Sequence, residues 1–73
     1  MLSSKEIGKK IKEIRILQKE QTQEQFAESI GSSKETVSNI ERGCVVPSTK
    51  TLANIAEYSG ASINQILGIE EYE

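Results

Sequence analysis

The chain has no histidine, no aspartate and no tryptophan, and only one cysteine, one proline and three aromatic side chains among 73 residues. Without His, Asp or paired Cys, nearly every common metal-ligand set and catalytic triad is missing. The expectation is a protein that is not an enzyme and uses no metal or cofactor. A lone cysteine forms no internal disulfide, so the expected compartment is a reducing cytoplasm. No stretch approaches the ~18 consecutive apolar residues of a membrane span, and Met1 to Lys5 leads into mixed charge rather than an apolar signal core. The length leaves room for one small core, in which an enzymatic cleft is hard to build.

A net charge of −2 argues weakly against a nucleic-acid partner, but the charges are unevenly distributed. All nine cations lie in residues 1–50 beside seven glutamates, giving +2, whereas residues 51–73 carry only Glu57, Glu70, Glu71 and Glu73, giving −4. Residues 1–69 are read as the folded unit and 70–73 as an acidic tail.

Five short apolar stripes recur at helical spacing. Ile7, Ile11 and Ile14 mark a first helix from Ser4 to about Lys19. Phe26, Ala27 and Ile30 mark a second, Val37 and Ile40 a third, Leu52, Ile55 and Ala56 a fourth, and Ile63, Ile66 and Leu67 a fifth. Starts are signalled by Ser3-x-x-Glu6, Thr22-x-x-Gln25, Ser32-x-x-Glu35 and Ser62-x-x-Gln65, each pairing a capping hydroxyl with an acid or amide three residues on. Ser48 is the expected cap of the fourth helix. Gly31, Gly43, Gly60 and Gly68 follow apolar stripes as stop signals, while Gly8, inside the first helix, predicts close approach of another helix. Helices 2 and 3, joined around Gly31-Ser32, have the form of a helix-turn-helix. On periodicity alone the same pattern also fits an all-α bundle with no nucleic-acid role.

The run Thr22-Gln23-Glu24-Gln25-Phe26-Ala27-Glu28-Ser29-Ile30-Gly31 and its continuation Thr36-Val37-Ser38-Asn39-Ile40-Glu41-Arg42-Gly43 resemble the helix-turn-helix of lambda repressor/Cro-type regulators, the XRE family. The resemblance covers roughly residues 5–68. It implies an all-α, compact five-helix lambda repressor-like domain that binds a double-stranded DNA operator, regulates transcription, most simply as a repressor, and acts as a homodimer at least on DNA, reading an inverted repeat. In such regulators the third helix enters the major groove while the second crosses the backbone.

Inward-pointing Val37 and Ile40 turn Lys34, Glu35, Ser38 and Asn39 outward as base-reading residues. Lys34 suits guanine O6 and N7, Asn39 adenine, Glu35 cytosine N4, and Ser38 several bases, with Thr36 adding a methyl contact. Glu35 has a second reading as part of a Ser32 capping box; if Ser33 is the cap, as the family alignment implies, Glu35 is free to face DNA. Thr22 and Gln23, at the start of helix 2, are expected to contact phosphate, and Gln23 matches the family's phosphate-contacting Gln. Ser33 and Arg42 join them, with Lys50 a weaker member. The resemblance pairs Arg15 with Glu41 as a partly buried structural salt bridge.

The chain departs from the family pattern in two places. Seven residues, Ile16 through Thr22, separate Arg15 from Gln23, one more than usual, and the turn lacks the common Gly; Ile16 or Leu17 is then partly exposed. Cys44-Val45-Val46-Pro47 replaces a loop often rich in basic residues, and its valines are expected to pack against helix 4. Cys44 has no second Cys to resolve a disulfide, which weighs against a redox role. Ile66, Leu67, Ile69 and Tyr72 are the expected dimer contacts, although Ile66 and Leu67 also fit the monomer core. The alternative from another class is a protein-interaction module, such as an antitoxin or anti-regulator, using the apolar loop or the last helix to clamp a protein partner.

Overall fold

The structure, a computed structural model, describes residues 1–70. The elements are helices α1 (Ser4–Glu13), α2 (Gln23–Ser29), α3 (Lys34–Glu41), α4 (Thr49–Ser59) and α5 (Ile63–Leu67), with a π-helical turn over Ile14–Gln18 continuing α1. No strand occurs among the described residues. Every helix contributes to one core: Ile7 and Ile11 from α1, Phe26 and Ala27 from α2, Val37 and Ile40 from α3, Leu52 and Ile55 from α4, and Ile66 from α5. Full burial of one such side chain is worth about 1.5–3 kcal/mol, so loss of any of them is a large perturbation in a domain this small.

Local hydrogen bonds set the helix starts. Complete capping boxes form at Ser3/Glu6, Thr22/Gln25 and Ser62/Gln65, and Ser48 caps α4 through the Thr51 N–H. The bonds from Ser3 hold the exposed Glu6 carboxyl below its ordinary pKa. The expected box at Ser32/Glu35 does not form; Ser33 caps α3 instead, accepting from the Thr36 N–H at 3.1 Å. The reason lies in how α2 ends. Gly31 turns left-handed (φ 68°), and the N–H groups of Gly31 and Ser32 return to the carbonyls of Glu28 and Ala27 at 3.3 and 2.8 Å. This closure draws Ser32 into the end of α2, and the chain is free to start α3 only one residue later.

The first helix does not run uniformly to Lys19. After Glu13 the backbone widens, and the Lys19 N–H bonds to the Ile14 carbonyl, five residues back, at 3.0 Å. A π turn of this kind takes up one extra residue at the end of α1, which accounts for the long spacing between Arg15 and Gln23. The chain then reverses through Glu20 in the left-handed region (φ 53°), a conformation in which a non-glycine residue is strained. The Gln21 N–H closes the reversal on the Arg15 carbonyl at 3.0 Å.

Gly8 is where α1 meets α3. A Cβ added there would fall on the backbone carbonyl oxygen of Ile40, so only glycine permits this approach.

Two expectations are corrected. Val45 and Val46 do not pack against α4 but are 45% and 48% exposed, while Pro47 is buried. The Cys44 N–H is held by the Asn39 carbonyl at 2.9 Å, so the loop leaves from the outer end of α3 and only its last residue regains the core. Ile66 is 2% exposed and fills the monomer core, so it is not available as a dimer contact; a helix of five residues is held only by the apolar side chain it turns inward. Leu67 packs partly on the same core and Ile69 stays outside it. Tyr72, like Glu71 and Glu73 of the acidic tail, lies outside the described residues.

Candidate nucleic-acid interface

On α3, burial of Val37 and Ile40 fixes the helix's rotation. At 100° per residue, Glu35, Ser38, Asn39 and Arg42 then form an outward stripe at positions i, i+3, i+4 and i+7. Lys34 and Thr36 stand on its flanks. Lys34, Glu35 and Arg42 are exposed, whereas Ser38 and Asn39 are half-buried.

Several of these side chains already have partners. An Arg42 guanidinium nitrogen donates to Asn39 Oδ1, so the arginine expected at phosphate rests on the asparagine expected at a base. Since Oδ1 has a second lone pair and Nδ2 two hydrogens, Asn39 retains both an acceptor and donors for a base edge. The Ser33 and Thr36 hydroxyls lie 2.9 Å apart and share one hydrogen bond, so one of the two O–H groups is taken and the other remains free to donate outward. Lys50 is exposed on the first turn of α4, one loop beyond α3.

At the start of α2 the capping box occupies the N–H groups of Thr22 and Gln25. Helix geometry leaves those of Gln23 and Glu24 without intrahelical acceptors. Such N–H groups favour an anionic oxygen.

The Glu41 carboxylate joins the elements on either side of this surface. Its Oε2 accepts from Arg15 Nε at 2.7 Å and its Oε1 from Arg15 NH2 at 2.9 Å, while Arg15 NH1 reaches the Gln21 carbonyl at 2.9 Å. Gln23 Nε2 donates to the same Oε1 at 3.1 Å. Hydrogen bonding to Glu41 raises the Arg15 pKa above its ordinary value against the opposing effect of burial. One carboxylate thus holds the π turn, α2 and α3 together. Because Gln23 Nε2 carries two hydrogens, one remains for a phosphate.

Gln21 and Tyr58 have no motif that marks them in the sequence, yet they brace the same corner. The Tyr58 hydroxyl donates to Gln21 Oε1 at 3.0 Å, and Lys19 Nζ lies 4.1 Å over the Tyr58 ring. These contacts join residues 37 and 39 positions apart in sequence, where local pattern carries no signal.

Among the described residues, no cluster of His, Cys, Asp or Glu is placed to hold a metal ion, and no helix is long and apolar enough to cross a membrane. Cys44 is exposed and its thiol is in no disulfide.

A helix-turn-helix family model matches residues 11–66, from the middle of α1 to α5. The chain is also similar to the ImmF control region 10 kDa protein of Bacillus phage phi105. The two are 39% identical over 64 residues, an alignment that covers 88% of this chain and 70% of that relative.

Proposed function

The chain belongs to the Cro/C1-type helix-turn-helix family of DNA-binding regulators, and from that premise we propose that it is a repressor reading a double-stranded operator through the major groove with α3. The observation that carries this reading is the outward stripe of Glu35, Ser38, Asn39 and Arg42 on a helix whose position is clamped by Arg15, Glu41 and Gln23. All the side chains of that stripe are polar, and all can donate to or accept from base edges.

Lys34, Glu35, Ser38 and Asn39 read bases, with Thr36 adding a methyl contact from the flank. Thr22, Gln23 and Ser33 meet phosphate, joined by Arg42 when it swings from Asn39 and by Lys50 from α4. Residues 1–69 form the DNA-binding unit and 70–73 the acidic tail. The phage relative carries the words "control region" in its name, which supports a regulatory role here. Two copies bind an inverted repeat with half-sites one turn apart, about 34 Å.

Selection from a randomised duplex pool at about physiological ionic strength tests this reading. The expected result is enrichment of an inverted repeat with half-sites one turn apart. Folded protein that enriches nothing overturns it and favours the protein-interaction reading, which has its own support in the exposed Val45 and Val46. Salt separates the two: operator affinity falls steeply as salt rises, whereas an apolar protein clamp barely responds.

A further inference from the structure

Gln21 stands in the connection between the π turn and α2, and all four of its polar groups have partners. Its N–H donates to the Arg15 carbonyl at 3.0 Å, and its own carbonyl accepts from Arg15 NH1 at 2.9 Å. Its side-chain Oε1 accepts from the Tyr58 hydroxyl at 3.0 Å, and Nε2 donates to Ser29 Oγ at 3.2 Å. The Ser29 hydroxyl donates in turn to the Gln25 carbonyl at 3.0 Å. One side chain therefore ties the approach to α2 both to the last residue of that helix and to α4.

Helix α4 acts as a splint along α2. Asn54 and Tyr58 lie one turn apart on the same face of α4. Asn54 Nδ2 donates at 3.1 Å to the carbonyl of Ile30, which closes α2, while Tyr58 holds the approach to its start through Gln21. Between them the Tyr58 ring packs on Phe26, with centroids 6.0 Å apart. Both ends of α2 are thus pinned from one helix, but they lead to different places. The Asn54 end leads into the turn before α3. The Tyr58 end leads to the N–H groups of Gln23 and Glu24, which lack intrahelical acceptors, and through Arg15 and Glu41 to the Gln23 side chain. Such N–H groups hold an anionic oxygen well only when they already point at it.

We propose that Gln21, held by the Tyr58 hydroxyl, is the positioning residue for the phosphate contact at the start of α2. It touches no DNA itself. The proposal rests on the operator reading above and adds a residue of α4 to what sets its affinity. With Gln21 loosened, α2 stays a helix, because Thr22 and Gln25 still cap it. Its first turn, however, is free to swing against α3, and a phosphate that binds there must first order it. The loss falls on every duplex alike, since a phosphate carries no sequence.

Duplexes that carry one uncharged methylphosphonate at a time in the selected half-site test this, with each variant of the full chain shown to be folded by circular dichroism. Gln23→Ala identifies the phosphate: its neutralisation costs wild type affinity and costs Gln23→Ala little. Tyr58→Phe deletes one hydroxyl and keeps the ring on Phe26. It should weaken binding about threefold to tenfold, the worth of one hydrogen bond, and shrink the penalty at that same phosphate while the others keep their wild-type size. Gln21→Met should do the same, and Gln21→Met/Tyr58→Phe should bind no more weakly than Gln21→Met, because both side chains act through one bond. Asn54→Ala is the comparison for a merely structural role. It breaks the α4 bond at the other end of α2, and it should lower Tm while leaving every phosphate penalty unchanged. The proposal falls if Tyr58→Phe lowers Tm yet keeps the wild-type penalties, or if Asn54→Ala shrinks the penalty at the same phosphate. A wild type that binds no duplex overturns the operator reading and takes the proposal with it, whereas wild-type binding that both variants match overturns the proposal alone.

Discussion

Gln23 Nε2 and Arg15 NH2 donate to the same oxygen, Oε1 of Glu41, at 3.1 and 2.9 Å. A structural ion pair and a residue assigned to phosphate therefore share one acceptor, and whatever moves Glu41 moves both.

Removing the arginine strands a carboxylate whose side chain is only 4% exposed. Arg15→Ala should lower the unfolding free energy by about 3 kcal/mol, near the lower end for a broken buried pair, as read by urea denaturation. Arg15→Met/Glu41→Leu should recover most of the loss, because two apolar groups of similar volume leave no charge stranded. Binding to the selected operator, measured under conditions where the single variant is still folded, should weaken without a change in base preference.

Glu20 occupies a left-handed conformation (φ 53°) that costs a side-chain-bearing residue roughly 1–2 kcal/mol. Glu20→Gly removes that strain and gives back part of the gain through the freer unfolded chain. The net expectation is about 0.5–1 kcal/mol of added stability, a rise of several degrees in Tm by thermal melting. An unchanged or lower Tm would show that the Glu20 side chain contributes as much as its backbone strain costs.

At Gly8 the sign reverses. Helix propensity alone favours Ala over Gly by up to ~1 kcal/mol, yet the new methyl would fall on the Ile40 carbonyl, a backbone atom that cannot turn aside. Gly8→Ala should destabilise by about 2 kcal/mol, the overpacking penalty exceeding the propensity gain. Chemical denaturation decides which effect wins.

Asn39 and Arg42 touch in the free protein, so their effects on DNA should not add. Asn39→Ala should relax preference at one base pair and cost ~1–3 kcal/mol on the selected site. Arg42→Ala should blur the same base pair, and a double-mutant cycle should show coupling of about 0.5 kcal/mol or more. Additive losses at different base pairs would mean the two residues act separately on the duplex.

The helix starts and stops were legible because a cap is a local event: Thr22 and Gln25 are three residues apart, and their types alone predict the bonds they make. Where two serines in a row both offered a cap, local pattern did not choose between Ser32 and Ser33; the family resemblance pointed to Ser33, and the closing bonds of α2 give the physical reason. The π turn left no mark in the apolar spacing, since Ile7, Ile11 and Ile14 read the same whether or not the helix widens after them, and only the count between Arg15 and Gln23 hinted at it. Among the proposed DNA contacts, placement on α3 followed from burial of Val37 and Ile40. The Gln23 to Glu41 bond spans eighteen residues and could not be read before the fold was assembled. Ile66 fitted both the monomer core and a dimer contact, and the packing of α5 against α1 and α4 decided between them.

The contact between Gly8 and the Ile40 carbonyl also bears on how the proposed operator must fit. With no side chain between them, the first and third helices meet backbone to backbone, and the reading surface cannot move closer to α1 to follow the duplex. Mismatches in groove width then fall to the duplex, whose bending and twisting vary with the bases it contains. Discrimination would thus extend to base pairs that no side chain reaches, with flexible steps at the centre of a site favoured over rigid ones.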